Sequence, residues 1–293
     1  MPPREREVRH ADGRTLRVVE DGDLHGRPVF VLHGSPCSRL LYQKHVDDAT
    51  RRGVRLIGHD RPGYGGSSPQ PGRTIGDEAA DVRAIADELG IERFGVWGFS
   101  GGGAPSLACA ALLPERVAGA ACLAGVAPYP AEGLDWFAGM GEANVEDFRR
   151  MMDDPKGWES GLRAAAQQLS HATLEEILTS FASLLSEVDR AALTGGVAEI
   201  LRAQIAEGVR PGIDGWRDDS LAGTRPWGFE LSQIRVPLQI WHGRHDRFVP
   251  FTHGQWLASR LPKAEHHLLP NDGHVTLFED RIPAVHEWLV HQF

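Results

Sequence analysis

Three cysteines in 293 residues are too few to organise this chain. Cys37, Cys109 and Cys122 cannot all pair, and none has metal-ligand spacing, so a disulfide framework and a thiolate metal centre are both excluded and reduced thiols are expected. Cys109 and Cys122 lie in alanine-rich apolar stretches and read as small buried hydrophobes. Cys37 sits in a Gly-Ser-Pro-Cys loop, where it either lines a pocket or simply packs. Basic residues are also short: 31 Lys and Arg against 40 Asp and Glu give a formal charge of −9. No concentrated basic surface exists to bind phosphates, which argues against nucleic acid as a partner. Long apolar runs are missing as well. The longest mostly apolar stretch, Val117 to Ala127, is too short to span a bilayer, so no membrane partner is expected. Met1 to Glu7 contains no apolar signal segment, and the expectation is a cytoplasmic protein.

What is present is an ordinary globular composition, 41% hydrophobic and 24% charged, for which one domain plus an insertion is the simplest count. Strand candidates alternate with helix candidates. Val29 to Leu32, Val54 to Ile57, Phe94 to Trp97, Val117 to Leu123, Leu238 to Trp241 and His266 to Leu269 are mostly apolar rather than alternating. Parallel strands buried on both faces read that way, so the fold class is α/β, a mostly parallel sheet covered by helices on both faces. Glu7 to His10 and Thr15 to Val19, separated by Asp12-Gly13, read as an antiparallel hairpin at one sheet edge.

The chemistry-bearing residues follow these strands. Gly98-Phe99-Ser100-Gly101-Gly102 places one serine at a sharp strand-to-helix turn, flanked by the small residues such a turn needs. A serine hydroxyl is a weak nucleophile at neutral pH and requires a base. His274, in Asn271-Asp272-Gly273-His274, can take its proton, and Asp246, in His242-Gly243-Arg244-His245-Asp246, can fix the imidazole tautomer. His33-Gly34-Ser35-Pro36 follows another strand. The backbone amide of Ser35 is the candidate partner of the Gly101 amide in an oxyanion hole, a role in which the serine side chain need not matter. His242, His245 and Asp246 are too few for zinc and are already explained by the acid loop, so no metal and no cofactor are expected.

These residues resemble the α/β-hydrolase superfamily, in the serine hydrolase branch with a His-Gly-x-Pro oxyanion loop. Asp60-Arg61-Pro62-Gly63-Tyr64-Gly65-Gly66-Ser67 and Gly243-Arg244-His245-Asp246-Arg247-Phe248-Val249-Pro250 match two further motifs of that branch, and the order Ser, Asp, His matches its triad. The resemblance covers residues 5 to 126 and 233 to 293. It implies nucleophile Ser100, acid Asp246, base His274 and oxyanion amides from Ser35 and Gly101. Subfamilies with an aspartate nucleophile, the haloalkane dehalogenases and epoxide hydrolases, are disfavoured by Ser100.

Residues 127–232 interrupt the pattern with helical periods and no strand candidate, so the expected division is a core of 1–126 and 233–293 with a helical lid between. Leu174, Ile177, Leu178, Phe181, Leu184, Leu185 and Val188 form one stripe, opened by a Thr173/Glu176 capping box. A second helix, Val197 to Glu207, is closed by Gly208. Trp136, Phe137, Trp216 and Trp227, with Phe229, are candidate substrate contacts, although large aromatics equally serve as lid core. Glu132, Asp135, Glu142 and Glu146 leave open recognition of a substrate amine, as in the similar proline iminopeptidases. The function expected is cleavage of a small or medium carboxylic ester through an acyl-enzyme, with a small-molecule substrate as partner and the oligomeric state left open. An aminopeptidase, a carbon-carbon bond hydrolase, a cofactor-free perhydrolase and a ligand sensor on the same fold stand as alternatives.

Overall fold

The mostly apolar runs become strands because helices cover both faces of the sheet they form. The computed structural model describes residues 3–293. Its eight strands are β1 (Arg4–Arg9), β2 (Thr15–Gly22), β3 (Arg27–Leu32), β4 (Val54–His59), β5 (Phe94–Phe99), β6 (Val117–Leu123), β7 (Leu238–Gly243) and β8 (Glu265–Leu269). They lie in the order β1-β2-β4-β3-β5-β6-β7-β8. The opening hairpin is antiparallel and forms one edge, β2 pairs antiparallel with β4, and the remaining pairs are parallel.

Alternate strand residues feed two separate cores. Phe30, Leu32, Ile57 and Val96 pack with α2 (Glu78–Glu88), α3 (Gly103–Leu112) and α10 (Phe251–Arg260) on one face. Val29, Val31, Leu56 and Trp97 pack on the other face with α1 (Gln43–Arg51), α11 (His274–Asp280) and α12 (Ile282–Val290). Parallel crossovers force this two-sided burial, which removes the alternation a half-exposed strand would show.

Six helices are inserted between β6 and β7: α4 (Glu142–Asp153), α5 (Pro155–Leu169), α6 (Leu174–Ser180), α7 (Glu187–Ala192), α8 (Gly195–Val209) and α9 (Asp214–Gly223). Trp158, Leu162, Leu169, Ile177, Ile205 and Val209 give the insertion a small core of its own, which Cys37 joins. Two expectations are corrected here. The stripe from Leu174 to Val188 is two helices, because the chain turns after Phe181 and Ser186 starts α7 by accepting from the Asp189 N–H at 3.3 Å. Gly208 does not close α8 but lies within it, pressed on the Pro36–Cys37 backbone, where an added Cβ would stand 2.7 Å from the Cys37 carbonyl carbon. After α9 the chain must return from the carboxyl edge of the sheet to the amino end of β7. Residues 224–237 make that return against the α3 face, with Trp227, Phe229 and Leu231 packed in its core. Among the described residues no helix is long and apolar enough to cross a membrane.

Candidate active site

Ser100 follows β5 in the left-handed region, at φ 55°, and opens a single turn of 3-10 helix before α3. A non-glycine residue held there costs about 1–2 kcal/mol, and it persists because the surrounding backbone leaves no alternative. Close approach explains the flanking glycines. A Cβ on Gly98 would collide with the Gly102 carbonyl, and one on Gly102 would collide with the Leu32 carbonyl of the neighbouring strand.

Asp246 and His274 leave β7 and β8 on adjacent loops. The His274 Nδ1–H donates to Asp246 Oδ2 at 2.7 Å, while Asp246 Oδ1 accepts the backbone N–H groups of Phe248 and Val249, each at 2.9 Å. The carboxylate is therefore fixed on both oxygens. His274 is clamped between rings, stacked on Phe248 at 4.6 Å between centroids and against Phe99 at 4.7 Å. Its Nδ1 faces the acid, which leaves Nε2 as the free ring nitrogen. The Ser100 hydroxyl makes no hydrogen bond to His274 among the described residues, but both side chains border the same cavity. His242 and His245 do not converge on a cation. His242 is buried, with its Nε2 on the Val249 carbonyl at 2.8 Å, and His245 is exposed.

The Gly101 turn lies directly against Ser35, so close that a Cβ on Gly101 would be 2.9 Å from the Ser35 nitrogen. The Ser35 amide donates to no backbone carbonyl among the described residues. The Ser35 side chain, which the amide's role does not require, is nonetheless engaged. Its hydroxyl donates to Asp219 of α9 and accepts from Arg61 Nη2 at 2.9 Å. Asp219 also pairs with Arg61, with Arg73 at 2.6 Å, and accepts from the Tyr64 hydroxyl at 2.8 Å. Burial alone would raise the Asp219 pKa, but the two guanidiniums and the two hydroxyls outweigh it and hold the carboxyl well below the usual range. Arg61 meanwhile donates to the His33 carbonyl at 2.6 Å, and so ties the strand end to the same ion cluster. Arg61 and Tyr64 were visible in the Asp60 to Ser67 motif; Asp219 carried no sequence signal.

Two cavities meet at Ser35, Ser100 and Phe248. The first runs under α6 to α8 and is almost wholly apolar, walled by Ile177, Phe181, Leu185, Leu201 and Ile205 with Arg202 at its border. Cys37 lines this arm, and burial pushes its thiol up to about 12, so it is a neutral wall. The second is lined by Trp136, Phe148, Trp216, Asn144 and Asp147. Trp136 and Trp216 thus border the site. Phe137 and Trp227 do not: Phe137 packs beside Tyr129 and Phe148, and Trp227, with Phe229, belongs to the return segment in the core. Glu132, Asp135, Glu142 and Glu146 are exposed and border neither arm. The carboxylates that do, Asp147 and Asp219, were missed. Asp147 already accepts from the Trp158 indole N–H at 2.9 Å, and burial raises its pKa.

A serine at the sharp turn after β5, with an Asp–His pair after β7 and β8 of a sheet in this order, defines a class: the enzymes of the α/β hydrolase type. The model of the α/β hydrolase fold family matches residues 27–281, and the chain belongs to that family. Among curated relatives it is 28% identical over 276 residues to the AB hydrolase superfamily protein YisY of Bacillus subtilis, covering 91% of each chain. It is 27% identical over 286 residues to a 2-hydroxy-6-oxononadienedioate/2-hydroxy-6-oxononatrienedioate hydrolase of Cupriavidus pinatubonensis, covering 89% of each. A thermophilic esterase from Thermogutta terrifontis superposes with a TM-score of 0.70 at 21% identity over 99% of both chains, a likeness of fold.

Proposed function

We propose that the protein is a serine esterase acting through an acyl-enzyme, with residues 127–232 working as its lid. The observation that carries this reading is one cavity bordered by Ser100 and by an imidazole whose other nitrogen is bonded to Asp246 at 2.7 Å. In the reaction Ser100 Oγ attacks the ester carbonyl carbon as its proton passes to His274 Nε2, after a turn of the serine side chain toward the ring. The carbonyl oxygen becomes an oxyanion between the amides of Ser35 and Gly101. Collapse breaks the carbon–oxygen bond, and the leaving alkoxide takes the proton from His274. Water, deprotonated by the same imidazole, then releases the acid and restores Ser100.

The arms bear on the substrate. His274 borders the first arm and not the second, which supports seating the leaving alcohol in the aliphatic arm, within reach of its proton donor, and the acyl group beside Trp136 and Trp216. A substrate ammonium finds no free carboxylate, since Asp219 is shared by two guanidiniums and Asp147 by an indole, which disfavours an aminopeptidase. A second reading, carbon-carbon bond hydrolysis, is favoured by the names of curated relatives such as the Cupriavidus pinatubonensis enzyme and by Arg202 at the border of the first arm. Kinetics on aryl and alkyl esters, prolyl amides and vinylogous diketones, for wild type and Ser100→Ala, test the proposal. Ester turnover is expected to dominate and to fall on the order of 10⁵–10⁶-fold in the variant. Preferred turnover of the diketone replaces the esterase by the second reading; ester turnover that survives the substitution refutes the Ser100 mechanism.

A further inference from the structure

The loop that carries His274 is held by a side chain from the insertion. Asp189 of α7 is fully buried, and its carboxylate sits at the start of α11. Oδ2 accepts the His274 N–H at 3.0 Å; Oδ1 accepts the Val275 N–H at 2.7 Å and the Thr276 N–H at 3.4 Å. Ser186 completes the shell, its hydroxyl donating to Oδ2 at 2.7 Å. The first N–H groups of a helix have no partner within it and are normally satisfied by a residue just before it. Here the preceding residue is Gly273, which has no side chain to offer. It also has no room for one: a Cβ at Gly273 would be 2.5 Å from Asp189 Cγ. The glycine before the histidine is therefore the clearance through which a carboxylate 85 residues upstream reaches the helix end.

We infer that Asp189 is a positioning residue for the reaction proposed above: it fixes the backbone of His274 and makes a competent base conditional on α7 being docked. The imidazole has two constraints, Asp246 on Nδ1 and the rings of Phe99 and Phe248 on its faces, and both presuppose a fixed Cα. Asp189 supplies that third constraint. α7 is also flanked by Leu185 and Leu193, which wall the apolar arm, so the wall that touches the leaving group and the base that protonates it are joined through one carboxylate. That part of the lid is a fixed strut between pocket and base.

The test uses the full chain and an aryl ester such as p-nitrophenyl acetate. Asp189→Ala is expected to lower kcat about 10²-fold with KM changed by no more than about twofold, because the base is displaced while the arms persist. Asp189→Asn keeps one acceptor oxygen but turns N–H donors toward the His274 N–H, and is expected to fall between the two. Glu187→Gln, an exposed neighbour on the same helix, is the control and leaves both constants unchanged. The Asp189→Asn change is then repeated in a His274→Ala background. A residue that acts through His274 changes nothing further there; a residue that merely keeps the lid folded lowers the residual rate by the same factor in both backgrounds. If Asp189→Ala does not fold, Asp189→Asn and its double variant decide. Unchanged kcat in Asp189→Asn, or an equal loss in the His274→Ala background, overturns the inference. Ester turnover that keeps its wild-type rate in Ser100→Ala and His274→Ala refutes the Ser100–His274 mechanism on which this inference rests, whereas turnover that collapses in those variants but is unchanged in Asp189→Asn refutes this inference alone.

Discussion

An Asp219→Asn substitution removes one negative charge and leaves two buried guanidiniums facing each other. The Arg61 side chain is fully buried, Arg73 is 5% exposed and Asp219 itself 11%. Breaking a buried pair by neutralising one partner costs about 3–5 kcal/mol, since the remaining charge keeps its desolvation penalty without its counter-ion. The lower end applies here. Arg61 retains the His33 carbonyl at 2.6 Å, Arg73 retains the Gly215 carbonyl at 3.2 Å, and the asparagine oxygen still accepts one bond. About 3 kcal/mol corresponds to a fall in melting temperature of roughly 6–12 °C, at about 2–4 °C per kcal/mol for chains approaching this size. The pH dependence has a definite sign. A carboxyl whose folded pKa is depressed contributes stability above its unfolded value, about 3.9, and loses it as pH falls through the folded value. The gap between wild type and Asp219→Asn, measured by urea unfolding, is thus expected to be full and flat from about pH 7 to 5 and to narrow below about 4. Activity should fall as well, up to about 10²-fold in kcat, because Ser35 loses its acceptor and its amide is no longer aimed. A variant that melts within about 2 °C of wild type with unchanged kcat would show that Asp219 is not the counter-ion of the Arg61–Arg73 pair.

Two further outcomes follow from close packing and from burial. Gly208→Ala is expected to cost about 1–3 kcal/mol in chemical denaturation by forcing α8 off the Pro36–Cys37 backbone, whereas Gly161→Ala, on α5 with open space around it, gains up to about 1 kcal/mol. Equal effects at the two glycines would contradict the packing described. Cys37, its thiol raised to about 12 by burial, has only about 10⁻⁴ of its population as thiolate at pH 8, so iodoacetamide should leave mass and activity unchanged until denaturant is added. Rapid modification of Cys37 that ester substrate slows would contradict it.

Much of this architecture is legible locally. Ser100, Asp246 and His274 each end an apolar strand within a few residues, and strand ends of an open α/β sheet are where a site forms. Composition also marks β3 to β7, where two-sided burial leaves few polar residues, Arg55 and Gln239 among them, whereas edge strand β8 is Glu-His-His-Leu-Leu and only half-buried. What the chain conceals is direction. Nothing in Asp214, Asp218 and Asp219 distinguishes the one that turns toward Arg61, and Asp189 lies in an ordinary-looking Ser-Glu-Val-Asp-Arg stretch. Trp136 and Trp227 are equally aromatic, yet one borders the site and the other fills the return segment, a difference set by contacts far away in sequence. The stripe ending at Val188 misleads for the same reason, since periodicity continues through a turn whose existence depends on Ser186 starting a new helix. Gly208 marks clearance and not a helix end, which only the position of a distant loop reveals.

Three acids that the insertion sends toward the core, Asp189, Glu207 and Asp219, make the seam between insertion and sheet a polar joint. A chimera that grafted a relative's entire insertion onto this sheet would deliver a new pocket together with two orphaned sets of donors, the backbone at the start of α11 and the Arg61–Arg73 pair. The exchangeable unit is therefore smaller than the insertion. The pocket wall on α6 can be swapped for new specificity, while α7, α8 and α9 are tied to the host through the carboxylates of Asp189, Glu207 and Asp219.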